Sequence, residues 1–223
     1  TAIGGPGGRF PATRLSIVES LRSDDAAQRQ RACERLVRLA AIINMGNRAN
    51  GRTGMGAVMG SKLLKAVAVR GTNRKAPLAD TAVLGRLAKW GSREIPNNGD
   101  VLDLRINGTE GVLEGQHAAG GLPTFNYNAG QFDGYEAISG ETMTATILTG
   151  ADTCYSCAVK CKRVVTTEFD GRPVEPRHGG PEYETAATFG SYCGVDDLSA
   201  ISLANQICNE NGLDTIGTGA TIA

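Results

Sequence analysis

Cys154, Cys157 and Cys161 lie in the run Thr-Cys-Tyr-Ser-Cys-Ala-Val-Lys-Cys-Lys-Arg, with the spacing C-x2-C-x3-C. No other feature restricts the fold as much, because three thiolates this close suit one soft metal centre and little else. Cysteine thiolates are the usual ligands of iron–sulfur clusters, which take four. A chain that supplies three in one loop must bring the fourth from elsewhere. Cys193 and Cys208 are candidates, but each falls on a predicted helix, where a free cysteine serves equally as packing. A structural zinc site is the alternative, although zinc ligands more often come as two C-x2-C pairs or as Cys/His mixtures. Unrelated buried cysteines are the third reading. The order also differs from the C-x3-C-x2-C of radical enzymes that use S-adenosylmethionine.

The remaining cysteine is Cys33, giving an even count of six. A secreted disulfide framework would also give an even count. The tight clustering, the length of 223 residues and the absence of an export signal argue for a reducing cytoplasm instead. The opening Thr-Ala-Ile-Gly-Gly-Pro-Gly-Gly lacks an initiator Met and reads as a cut through something longer. Basic and acidic side chains balance at 23 each, which argues against binding nucleic acid through a basic face. No apolar run reaches the roughly 18 residues of a membrane span. The 30 glycines predict many tight turns and close backbone approaches.

Periodicity predicts a helix-rich chain with a little sheet. Residues 11–43 read mostly as helix, with Leu15, Ile17, Val18 and Leu21 at near-helical spacing. After a polar break, Asp25 caps a second stripe of Ala32, Leu36, Leu39 and Ala40. A Gly-rich basic loop spans 46–56, a short strand 64–69, and a boundary 71–77. Helices are expected over 80–89, 139–148 and 180–192, and a strand over 164–169. The stretch 91–135 resists assignment, apart from a loop at 120–126 that reads as ordered. Asp196 or Asp197 caps the last clear helix, whose inner face carries Leu198, Ile201, Leu203, Ala204 and Ile207, and Gly212 ends it.

Three further groups bear on chemistry. The loop from Gly46 to Gly56 can cradle an anion, because glycines let backbone N–H groups approach a phosphate and Arg48 and Arg52 add charge. It lacks the Gly-x4-Gly-Lys-Ser/Thr order of a nucleotide loop. A Gly-rich turn with solvated arginines is the plain alternative. Glu182 and Glu184 flank Tyr183; a carboxylate beside a metal can act as acid or base, but acids in a first helical turn also simply suit the dipole. His117 and His178 read as surface residues.

Four segments then occur in one order: Gly51-Arg-Thr-Gly-Met-Gly-Ala-Val-Met-Gly-Ser-Lys62, the cysteine loop, Gly180-Pro-Glu-Tyr-Glu184, and Gly212-Leu-Asp-Thr-Ile-Gly-Thr-Gly219. In that order they resemble the aldehyde ferredoxin oxidoreductases, and the resemblance covers nearly the whole chain. It implies an α+β, mostly helical fold. Residues 1–75 would be the end of a pterin-binding β-sheet domain. Residues 76–223 would be a helical domain carrying the iron–sulfur loop. It also implies tungsten (or molybdenum) held between two pyranopterins, with a [4Fe-4S] cluster beside one of them. Aldehydes would be oxidised to carboxylic acids, and electrons would leave through the cluster to ferredoxin or a partner subunit. By similarity, Arg48, Ala49, Asn50 and Gly51 would meet a pterin or its phosphate, Cys154, Cys157 and Cys161 would hold the cluster, and Glu184 would be the carboxylate near the metal. Asn209, Leu213 and Asp214 belong to a run resembling the first Asp-x-x-Gly-Leu-Cys/Asp pterin motif.

The chain departs from that pattern in places. Asn209 stands where the motif usually has Asp, keeping polarity but losing charge. A second such motif, with its cysteine, does not occur, so the fourth cluster ligand is expected beyond Ala223. The N-terminal part of the pterin-binding sheet domain and the C-terminal helical domain are also missing and are expected elsewhere in the same protein. Residues 10–31 look like an insertion. Leu203 stands where some members place a Glu that binds a bridging iron, so no such iron is expected. The alternative from another class is a pterin-free iron–sulfur module for electron transfer or regulation, which needs its fourth ligand within this chain.

Overall fold

The computed structural model describes residues 37–68 and 77–223. Its first element is a hairpin, β1 (Ile42–Asn44) against β2 (Arg48–Asn50), with Ile43 opposite Ala49. The turn is closed by Met45 and Gly46, both at positive φ. A 3-10 turn at Arg52–Gly54 leads into helix α1 (Met55–Ser61). Residues 69–76, and with them most of the expected boundary, lie outside the described residues.

The helical part begins with α2 (Thr81–Glu94), started by the Asp80 carboxylate, which accepts from Val83 N at 2.8 Å. Short helices follow: α3 (Gly99–Ile106), α4 (Val112–Ala118) and α5 (Gly140–Thr146), the last capped by Ser139. A 3-10 turn at Gly108–Gly111 joins α3 to α4. β3 (Leu148–Asp152) and β4 (Lys162–Val165) pair antiparallel and carry the cysteine loop between them. β5 (Thr167–Phe169) and β6 (Arg172–Val174) form a second hairpin through Asp170-Gly171, both at positive φ, as a two-residue Asp-Gly turn requires. Helices α6 (Tyr183–Phe189), α7 (Leu198–Asn211) and α8 (Thr215–Ile222) complete the chain.

Helix α6 sits at the centre. Thr185, Ala186, Ala187 and Thr188 are all buried on it. Leu113, Leu122, Phe132, Ile138 and Ile201 close around Ala186 and Ala187. A second apolar cluster joins Met143, Val165, Val174, Leu198 and Leu203, between α5, the hairpins and α7. Gly219 lets α8 approach α6: a Cβ there would lie 2.7 Å from Thr188 Cβ.

Several expectations are met. α2, α5, α6 and α7 appear where periodicity put helices, though α6 starts and stops inside its expected span. Asp197, not Asp196, caps α7, and Gly212 ends it in the left-handed conformation. The 120–126 loop is ordered: Phe125 and Asn126 donate backbone N–H groups to the carbonyls of Ser191 and Tyr192. Phe125, Asn126 and Tyr127 all adopt positive φ.

Other expectations fail. The helix expected to reach residue 43 does not do so, since Ala40 bridges Leu213 in extended form and Ile42–Asn44 is a strand. The Asp25 cap, and the stripe positions Ala32 and Leu36, lie outside the described residues. The Gly-rich loop is largely structured as β2 and α1. Residues 64–68 form no strand. The strand expected over 164–169 is two strands parted at Thr166, pairing with different partners. Helix α8 follows the helix read as last. Cys193 lies on a turn rather than a helix.

Candidate functional site

The cysteine loop bends through two non-glycine residues at positive φ, Ser156 and Lys160. Cys157 N donates to Cys154 O at 3.1 Å. Side chains from its base and from outside it hold its carbonyls. Thr153 Oγ1 donates to the carbonyls of Cys154 and Cys157 at 3.1 and 2.7 Å. Arg105 reaches Ala158 O at 3.2 Å. Arg163 donates to Lys160 O at 2.6 Å, Cys161 O at 3.2 Å and Ile106 O at 2.5 Å. Gly108 is needed here: it has φ +72, and a Cβ on it would meet Cys161 O at 2.9 Å.

All five described cysteines are free thiols. Cys154 is exposed, and Cys157 and Cys161 are half-buried. Burial pushes the Cys161 thiol up, and the charges of Glu182, Cys154 and Cys157 push it further. The three thiols of the run therefore share one electrostatic neighbourhood. Among the described residues, no three His, Cys, Asp or Glu side chains are drawn together tightly enough for a single metal ion. A cubane takes each thiolate on a different iron, a wider arrangement than a one-ion site, and the donor set fits it chemically with three of its four thiols. Cys193 and Cys208 are engaged elsewhere: Cys193 Sγ contacts Thr188 O at 3.3 Å, and Cys208 is buried, its thiol pushed up to about 11 by burial.

The segments resembling pterin motifs come together although they are far apart in sequence. Asp214 N donates to Leu39 O, Ala41 N to Gly212 O, and Gly56 N to Ala40 O. Gly51 lies beside Asp214: a Cβ there would be in ordinary contact with Asp214 Oδ1, at 3.4 Å. Asp214 is buried and caps α8 through Ile216 N at 3.1 Å. Ala49 and Asn50 are exposed at the end of β2. Leu213 N closes the end of α7 on Cys208 O. Asn209 faces inward: it is buried, and its amide donates to His178 O at 3.2 Å. Gly51 in contact with the buried Asp214, and the exposed Ala49 and Asn50 beside it, make a cradle compatible with a pterin edge.

Arg48 links this cradle to the cysteine loop. Its guanidinium pairs with Asp152 at 2.7 Å and reaches Thr153 O at 3.3 Å. Glu184 is exposed on the first turn of α6. Glu182, two residues before it, is instead held by Thr109 at 2.5 Å and Lys162 at 3.0 Å. Burial pushes the Glu182 carboxyl up, but Lys162, the Thr109 hydrogen bond and the Arg48 charge outweigh it and hold it below the usual range. Tyr183 lies between them; burial and the charges of Glu184 and Tyr127 push its hydroxyl up.

Sequence reasoning missed Glu110 and Arg163. Glu110 is 1% exposed, and among the described residues neither carboxylate oxygen has a hydrogen-bond partner. Burial, then the charges of Glu182 and Glu141, push it well above the usual range, which favours its neutral form. Only tertiary packing reveals either residue. Of the two histidines read as surface residues, His178 was misread, while His117 is half-buried on α4. His178 is buried, with Nε2 3.5 Å from Glu210, and His117 stacks on Tyr135 and accepts from Phe132 N.

Comparison with known proteins gives the family. Residues 15–71 match the N-terminal domain of aldehyde ferredoxin oxidoreductase, and residues 86–223 match its domains 2 and 3. The tungsten-containing aldehyde ferredoxin oxidoreductase of Thermococcus kodakarensis is 41% identical over 197 residues, covering 86% of this chain and 31% of that protein. Its counterpart in Pyrococcus furiosus is 39% identical over the same share. A second Pyrococcus furiosus protein, the aliphatic sulfonate oxidoreductase, WOR-like subunit, is 30% identical over 83% of this chain. The chain thus spans 31% of the length of its more similar relatives. With both family models matched in order along it, the chain belongs to the aldehyde ferredoxin oxidoreductase family.

Proposed function

We propose that this chain is the central part of a tungsten (or molybdenum) bis-pterin oxidoreductase of the cytoplasm. The reaction is aldehyde plus water giving carboxylic acid, two protons and two electrons. The observation that carries the reading is the pairing of residues 39–41 with residues 212–214, with Gly51 in contact with Asp214 and Arg48 reaching from the same hairpin to the cysteine loop. When bound, the metal–pterin group supplies the two-electron acceptance, and a [4Fe-4S] group on Cys154, Cys157 and Cys161 supplies the route out to ferredoxin or a partner subunit.

Around those groups the residues have separate tasks. The backbone of Arg48, Ala49, Asn50 and Gly51 binds and orients a pterin edge. Asp214 shapes the opposite wall with Leu213, while Asn209 supports that wall from inside through His178 O. Glu184, exposed and free of the contacts that hold Glu182, takes up a proton at its carboxylate. Glu182 stays ionised against Lys162 and fixes the approach of α6 to the loop.

The full-length protein, purified without oxygen and analysed for W, Mo, Fe and Zn, tests this reading. The expected result is about one W or Mo and, with a complete cluster of four thiolates, about four Fe per chain. Fe without W or Mo favours a pterin-free electron-transfer module, and Zn alone overturns the cluster. On the same preparation, Glu184→Gln is expected to keep the metals and lose at least roughly 100-fold in aldehyde turnover with a viologen acceptor, as for a missing general base. Unchanged turnover removes Glu184 from the mechanism.

A further inference from the structure

Arg163 is the most deeply buried cation beside the cysteine loop, at 4% exposure. It lies on β4, two residues after Cys161, where the strand's alternation turns Arg163 and Val165 inward. Its guanidinium forks to three carbonyls, those of Lys160, Cys161 and Ile106. Two of these belong to the tight end of the loop, where Lys160 takes positive φ. The third ends α3, whose terminal carbonyls favour a cation. Among the described residues Arg163 forms no ion pair, so its acceptors are dipoles and its charge is not cancelled at contact. Its neighbour Lys162 differs: it is neutralised by Glu182 at 3.0 Å.

We propose that Arg163 positions the cysteine loop and, as a buried cation with no carboxylate in contact among the described residues, raises the reduction potential of the iron–sulfur group those thiolates hold. The inference rests on the cluster reading above. The physics is direct. Reduction adds one negative charge to the group, and a fixed cation shielded from water stabilises that added charge. Arginine stays protonated, so the effect does not vary with pH across the working range. The two roles separate by substitution. Arg163→Gln removes the charge, while Arg163→Lys keeps the charge and loses the planar fork.

The test is an anaerobic redox titration of the full-length protein, following the reduced-cluster electron paramagnetic resonance signal in parent, Arg163→Gln and Arg163→Lys. Arg163→Gln is expected to titrate at a lower potential than the parent, and Arg163→Lys at the parent's. Arg163→Gln loaded with iron at an unchanged potential overturns the proposal. Should Arg163→Gln lose its iron, Arg163→Lys decides: iron retained at the parent potential supports the role of charge, and lost iron or a lowered potential overturns it. A parent protein without iron overturns the cluster reading itself, and the inference with it. A purely structural role would change stability and iron content in the variants and leave the potential of loaded protein unmoved.

Discussion

Glu110 poses a problem of charge at the scale of one side chain. It is shut off from bulk solvent, and among the described residues no donor meets either oxygen, so its ionised form is poorly stabilised. Glu182 and Glu141 add like charge. The folded state therefore holds the proton to higher pH than the unfolded chain does. With a raised folded pKa, the native state binds more protons than the unfolded one across the interval between the two pKa values, and stability falls as pH rises through it. The loss begins near the unfolded carboxyl value of about 4.3 and ends at the folded one, at about 1.4 kcal/mol for each unit of separation. Glu110→Gln is expected to remove this fall, giving a protein more stable than the parent above that interval and similar below it. Urea unfolding across a pH series reads the difference. Parallel curves would show that Glu110 does not titrate between the states.

At the scale of elements, close approach matters more than propensity. Gly219 and Gly115 are both helical glycines, and the usual preference for alanine in a helix applies to each. Their surroundings oppose one another. A Cβ at Gly219 meets Thr188 Cβ and Oγ1 at 2.7 Å, whereas a Cβ at Gly115 meets nothing within 4 Å. Gly219→Ala is expected to destabilise by about 1–3 kcal/mol through overpacking between α8 and α6. Gly115→Ala is expected to stabilise by about 0.4–1 kcal/mol. Thermal unfolding of the pair should move in opposite directions; equal shifts would mean that α8 does not lie this close to α6. The contrast also explains what the sequence made legible. Caps are local chemistry, so Asp80, Ser139, Asp197 and Gly212 mark their helices without tertiary information. The pairings of Ala40 with Leu213 and of β4 with β3 are not local, so the first was read as helix and the 164–169 strand was read as continuous. Helix α8 was missed because its glycines, there for contact with α6, resemble loop residues in a one-dimensional reading. The cysteine loop was legible from spacing alone. The carbonyl grips of Arg163 and Thr153 were not.

Across the whole molecule, contacts of long sequence separation build the site. Residues 39–56 rest on residues 212–217, with a Cβ at Gly217 falling 2.8 Å from Leu39 Cδ2. Arg48 then spans from this junction to Asp152 and Thr153 at the foot of the cysteine loop. If the hairpin and the loop are one unit, the Arg48–Asp152 pair should show coupling and not only two separate losses. The side chains are 25% and 44% exposed, so water and salt screen the pair and only about 0.2–1 kcal/mol is expected of it. Arg48→Met removes the cation. Asp152→Asn keeps an oxygen for the bond from Thr153 N to Asp152 Oδ1. The double variant is expected to lose less stability than the two single losses combined, and the difference should shrink as salt is raised toward about 1 M. Losses that add to within roughly 0.3 kcal/mol would mean that Arg48 is held chiefly by Asn47 and the Thr153 carbonyl, leaving the cradle and the loop to move independently.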